Sequence, residues 1–160
     1  MELFQTIKNE QAYSSTNGCR VSFVSKNNEL TSINRIMYIT DIRYCDMMVI
    51  KSLIETFRPF NSEIIFIHLT ARGLPDMEDV FVKKLFISEI VPLLKYSSVK
   101  LINLKGKNTV KEMENIVNVM NPNIIALTRR KHGVFDRLFS SVSNNKKLEY
   151  NNIPLLVFDC

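Results

Sequence analysis

Asn123-Ile-Ile-Ala-Leu-Thr128, continuing as Arg129-Arg-Lys-His-Gly-Val-Phe-Asp-Arg-Leu-Phe-Ser-Ser141, is the stretch on which the fold of this chain turns. An Ile-rich apolar run follows Pro122, a basic loop comes after it, and a Ser-Ser pair opens a segment with apolar patterning. These residues read as a buried strand, an anion-attracting loop and a helix start. In an open parallel sheet, strand C-terminal ends and helix N-termini present backbone groups to one crevice. A ligand site is therefore expected here if the loop still holds a phosphate.

Upstream, the pattern is regular from Ile33 on. Ile36-Met-Tyr-Ile39 reads as a near-continuous apolar strand ending at Thr40-Asp41. Ile50, Leu53, Ile54 and Phe57 then recur at helical spacing until Arg58-Pro59 ends the helix. Ile64-Ile-Phe-Ile-His-Leu69 is a second buried strand, and beyond Gly73 and Pro75 a helix is expected from Asp76 to Lys95, ended or kinked at Pro92. Val99 to Leu104 is a third, more polar strand. Thr109-Val-Lys-Glu112 has the capping-box pattern and starts a helix with Val110, Met113, Val117 and Met120 inward. Downstream, a short helix near Ser141 to Leu148 and a last strand, Ile153-Pro-Leu-Leu-Val-Phe158, complete the alternation. Continuous apolar strands alternating with helices imply a parallel sheet covered on both faces.

Residues 1–32 differ, and the chain divides into this N-terminal arm and a domain over 33–160. Leu3, Phe4 and Ile7 have helical spacing, the polar Tyr13–Gly18 interrupts it, Arg20-Val-Ser-Phe-Val24 is strand-like, and Lys26-Asn-Asn-Glu29 reads as a linker. The arm is too small to fold alone and must lean on the domain or on a partner.

Composition sets the bounds. With 46% hydrophobic and 23% charged residues, the 160-residue chain is an ordinary globular one. Its formal net charge of +5 is small and scattered, so nucleic acid is not an expected partner. No run approaches the roughly 18 apolar residues of a membrane span, and the N-terminus lacks a signal-type apolar core. Three cysteines without C-x-x-C spacing indicate neither a disulfide framework nor zinc, so the expected place is the reducing cytoplasm. His68 and His132 have no ligand-spaced Cys or carboxylate, so no metal is expected.

Taken in order, Ile36–Asp41, His68-Leu69, Leu104-Lys-Gly106, Asn123-Ile-Ile-Ala-Leu127, Asp136-Arg-Leu-Phe-Ser-Ser-Val142 and Ile153-Pro-Leu-Leu-Val157 resemble the universal stress protein family over Ile33 to Cys160. The resemblance implies a doubly wound, five-stranded parallel sheet of order 3-2-1-4-5. Cys19–Val24 and the linker resemble the junction of tandem members, so the chain looks like a second domain that kept the tail of a first. By family resemblance the last strands pair into a homodimer. Here the arm is expected to add an edge strand instead, Arg20–Val24 antiparallel to Pro154–Phe158, within the chain or swapped, with residues 3–12 as helix.

ATP-binding members of that family carry G-x2-G-x9-G-[ST] after the fourth strand, because glycines let backbone N–H groups approach phosphates. The matching positions here are Leu127, Arg130, Ser140 and Ser141, so the three glycines are lost and only the hydroxyl is kept. The resemblance places Asp41 facing an adenosine, Leu69 at a backbone contact to adenine, and Thr128 beside Asp41 at the neighbouring strand end. Arg129, Arg130 and Lys131 offer positive charge. Each has a structural alternative: Asp41 holding nearby backbone N–H groups, the basic residues in a solvated loop, and Ser140-Ser141 as a helix cap. Receiver-type carboxylate clusters, an S-G-G-x-D-S loop and a G-x-S-x-G elbow are all absent, so no catalytic residue is assigned. The expectation is a non-enzymatic stress-protein module, without a cofactor, that works by dimerisation or partner binding. The alternative is an ATP or AMP binder using the basic loop.

Overall fold

Strands that are apolar along their whole length must be covered on both sides, and that requirement shapes this protein. The computed structural model describes residues 11–16, 19–24, 30, 32–106, 108–130, 133, 134, 138 and 153–160. The elements are β1 (Gln11–Thr16), β2 (Cys19–Val24), β3 (Arg35–Thr40), a 3-10 turn (Ile42–Tyr44), α1 (Met47–Phe57) and β4 (Glu63–Leu69). There follow α2 (Asp79–Leu85), a π-helical turn (Phe86–Ile90), α3 (Val91–Leu94), β5 (Val99–Leu104), α4 (Thr109–Met120), β6 (Ile124–Arg129) and β7 (Leu155–Asp159).

All seven strands form one mixed sheet in the order β1-β2-β7-β6-β3-β4-β5. The β3–β4, β3–β6, β4–β5 and β6–β7 pairs are parallel. The β1–β2 and β2–β7 pairs are antiparallel. The fold is thus α/β with a mostly parallel sheet.

Side-chain alternation along the central strands feeds two cores. Ile36, Tyr38, Ile64 and Phe66 join Ile50, Leu53, Ile54 and Phe57 of α1 with Val82, Phe86 and Ile90. Met37, Ile39, Ile65 and Ile67 join Met113 and Val117 of α4 with Val134 and Leu138 on the other face. Both sets are buried, which is why β3 and β4 read as unbroken apolar runs. Asp46 starts α1 by accepting the Met48 N–H at 2.9 Å, and Asn61, at φ 53°, turns the chain after Pro59. Asn123 aligns the central strands: its Oδ1 accepts the N–H groups of Asn34 and Arg35, each at 2.8 Å.

Several expectations need correction. The arm adds two strands rather than one, because Gln11–Thr16, read as helix end and polar interruption, forms β1 against β2. Backbone pairing in a hairpin needs no apolar side chains, and Asn17-Gly18 between two extended runs is the sequence signal that would have found it. Residues 3–10, the linker 26–29 and the segment 141–148 lie outside the described residues. The antiparallel pairing of the arm with the last strand is present, within the chain, with Arg20 opposite Asp159 and Val24 opposite Leu155.

The helix expected from Asp76 begins at Asp79, and Pro92 neither ends nor simply kinks it. Proline lacks an N–H and its ring crowds the carbonyl of residue 88, so the preceding turn widens: the Val91 N–H reaches back to Phe86 O. Thr109 is the first residue inside α4 rather than its cap. Asn108 holds the cap position, and its carbonyl accepts the Glu112 N–H at 3.1 Å. Cys19 and Cys160, 141 residues apart, are joined by a disulfide, which the odd cysteine count and the spacings gave no reason to expect. Topology makes the pair, since β2 lies antiparallel on β7. Among the described residues no helix is long and apolar enough to cross a membrane.

Candidate functional site

Strand order reverses between β3 and β6, and crevices in open α/β sheets form outside the strand ends at such a point. Ile39 opposite Leu127 sets the register, so Thr40 and Thr128 stand side by side at the ends of neighbouring strands, with Asp41 one residue beyond. The crevice is lined by Thr40, Asp41, Tyr44, Asp46, Ala71, Thr128, Arg130 and Gly133, over Ile39 and Val134. Its volume is about 60 Å³. Sites for cofactor-sized ligands run to about 300–1,000 Å³, so this space suits a water or a small ion.

Asp41 is buried, and four donors surround its carboxylate. Oδ1 accepts from Arg43 Nε at 2.9 Å and from the Arg43 backbone N–H at 3.1 Å. Oδ2 accepts from Arg43 Nη2 at 2.6 Å and from the Ala71 N–H at 2.8 Å. Burial pushes the carboxyl upward, but the hydrogen bonds from Arg43 and Ala71 outweigh it and hold Asp41 below its ordinary value. The carboxylate thus closes the turn after β3 and pins the residue after Thr70 in the β4 loop.

His68 ends up beneath this turn. Its Nδ1 accepts the Ile42 N–H at 3.0 Å and lies 3.9 Å from Asp41 Oδ1. Nε2 is buried and has no hydrogen-bond partner among the described residues. Burial lowers its pKa, with the Asp41 charge opposing, so the ring is neutral and its lone pair on Nδ1 is occupied. That leaves it unable to act as a base toward the crevice.

On the β6 side, Thr128 Oγ1 and Tyr38 OH share a hydrogen bond of 3.1 Å, and burial pushes the Tyr38 phenol up to about 12. Arg130 reaches across the crevice mouth, donating to Asp46 Oδ2 at 3.1 Å and to Tyr44 O at 3.3 Å. Arg129 turns away and forms a two-pronged pair with Asp159 at 2.5 and 2.6 Å. Gly133 closes the loop through its N–H to Arg130 O at 3.1 Å, and a Cβ there would press on that carbonyl.

Of the sequence-assigned residues, Asp41, Thr128 and Arg130 line the crevice. Leu69 is buried in the layer around Met113 and does not line it. Ser140, Ser141 and Lys131 lie outside the described residues. Arg43, Tyr44, Asp46 and Ala71 were missed. Asp46 had a signal, an Asp just before an apolar-periodic run, but Arg43 and Ala71 are recruited by tertiary approach alone. Near the crevice, Cys19, Cys160 and Asp46 place two sulfurs, joined in the disulfide, and a carboxylate oxygen within 4.8 Å of one another. No protein-family model matches the chain, and no curated protein matches it.

Proposed function

We propose that this chain is a universal-stress-protein-like, non-enzymatic module of the cytoplasm that acts through dimerisation or partner binding and does not hold ATP in the usual way. The observation that carries the reading is the crevice of about 60 Å³, with its one buried carboxylate fully engaged by Arg43 and Ala71. The mostly parallel sheet, with its five parallel strands in the order β5-β4-β3-β6-β7, supports the same reading. Leu127 and Arg130 at two of the glycine positions support it as well, because a non-Gly residue held at φ > 0 costs on the order of 1 kcal/mol or more.

The rival is an ATP or AMP binder in which Arg130 replaces backbone donors. Arg130 is exposed and points at the crevice mouth, but Asp46 already engages it. Calorimetry with Mg-ATP, together with chromatography of an acid extract of freshly purified protein, separates the two. The expected result is no co-purified nucleotide and no binding in the micromolar range. Micromolar affinity or stoichiometric nucleotide overturns the proposal in favour of the rival.

A further inference from the structure

The register of β2 on β7 carries Cys19 and Cys160 to facing positions at the end of the strand pair, with Cα atoms 4.3 Å apart. Asp46 reaches the same place from the loop before α1, so that a carboxylate oxygen and both sulfurs lie within 4.8 Å of one another. We propose that reduction of the disulfide turns Cys19, Cys160 and Asp46 into a binding site for a thiophilic divalent cation of the zinc class. The inference rests on the placement of these three side chains and not on the stress-protein reading.

The donor set suits that chemistry. Zinc binds thiolate sulfur at about 2.3 Å and carboxylate oxygen at about 2.0–2.2 Å, usually with tetrahedral geometry. Tetrahedral ligands at those lengths stand roughly 3.3–3.8 Å apart, so the two sulfurs, bonded to each other in the oxidised chain, must separate by roughly 1.7 Å after reduction, while the Asp46 oxygen closes on them by about an ångström or less. Three protein ligands leave the fourth position to water. Charge also balances: two thiolates and a carboxylate carry −3, and a divalent cation with the Arg130 guanidinium, hydrogen-bonded to Asp46 at 3.1 Å, supplies +3. Cys160 is exposed, Asp46 half-buried and Cys19 buried, so reductant and metal both have a way in.

The oxidised bridge excludes the metal because each sulfur's bonding partner is the other sulfur. A dithiol reductant donates two electrons and two protons to the S–S bond and itself becomes a disulfide, leaving two thiols. The cation then replaces the two thiol protons, which pass to solvent. Either state fastens the arm to β7, once by a covalent bond and once by metal. In a reducing compartment a close cysteine pair more often serves metal or redox chemistry than static crosslinking.

The test uses the full chain, reduced with a phosphine, freed of metal and titrated with cobalt. One cobalt per chain is expected, with thiolate-to-cobalt charge-transfer absorption, displacement by zinc and release of two protons on zinc uptake. The oxidised chain should take up none. Asp46→Asn, which keeps a good helix cap, should preserve the thiolate absorption and weaken binding by about tenfold or more. Cys45→Ala, at the free cysteine next to Asp46, should change nothing. A reduced chain that takes up no cobalt, or takes it up without the thiolate signature, overturns the proposal. So does an oxidised chain that binds equally, an unchanged affinity in Asp46→Asn, or loss of binding in Cys45→Ala. Comparing oxidised with reduced wild-type protein needs no variant to fold.

Discussion

Replacing Asp41 with asparagine distinguishes a carboxylate kept for a ligand from one that holds the fold. The wild-type side chain is 3% exposed and accepts four hydrogen bonds, from Arg43 Nε, Arg43 Nη2 and the N–H groups of Arg43 and Ala71. Asparagine offers one acceptor oxygen, so two of the four donors would face an NH2 group. Hydrogen bonds to a charged group contribute about 1.5–3 kcal/mol each, which puts the gross loss at about 3–6 kcal/mol. Arg43 is 21% exposed and regains part of this by turning toward water. The expected destabilisation is therefore about 2–4 kcal/mol, or a fall in Tm of roughly 5–15 °C for a chain of this size. Urea unfolding is the assay: the midpoint should drop with an unchanged slope, while Asp76→Asn, on the exposed loop after Pro75, should stay within about 0.5 kcal/mol of wild type. An Asp41→Asn protein within about 0.5 kcal/mol of wild type would refute the structural role and return Asp41 to the ligand-facing reading.

Stability should also fall in acid in two stages. His68 is held below its ordinary 6.5, so its contribution is complete above that pH and is lost as pH falls below it, where the unfolded chain binds the proton first. Asp41, held below 3.8, contributes above that pH, and its share is lost as pH falls through the folded value. Urea midpoints across pH should show both limbs, and His68→Gln should remove the upper one; a wild-type profile flat down to pH 5 contradicts the account. Deleting residues 1–25 strips Val21 and Phe23 from the core and bares the edge Leu155-Leu-Val-Phe158, so light scattering should report aggregation or a larger species. An unaltered, monodisperse protein would count against the capping role of the arm.

The alternating pattern and the apolar strands were legible in the sequence because they depend on periodicity and on chain order, whereas the adjacency of Asp41 and Thr128 was an expectation drawn from the family resemblance. Ile36–Ile39 and Ile64–Ile67 are apolar on both faces, which leaves a covered parallel sheet as their ordinary home. Pro92 announced a disturbance in its helix, although not that the neighbouring turn would widen instead of break. What the sequence could not carry was anything made by approach across the sheet. Asp41 became a buried latch only when the β4 loop brought Ala71 N–H to it, thirty residues away. Arg130 and Asp46 span the crevice from loops 84 residues apart. The hairpin of the arm is a partial exception: the composition of Gln11–Thr16 was silent about backbone pairing, and only the Asn17-Gly18 dipeptide signalled it. Cys19 and Cys160 met, with Asp46 beside them, because β2 runs antiparallel to β7, and strand pairing at a separation of 141 residues leaves no trace in local spacing.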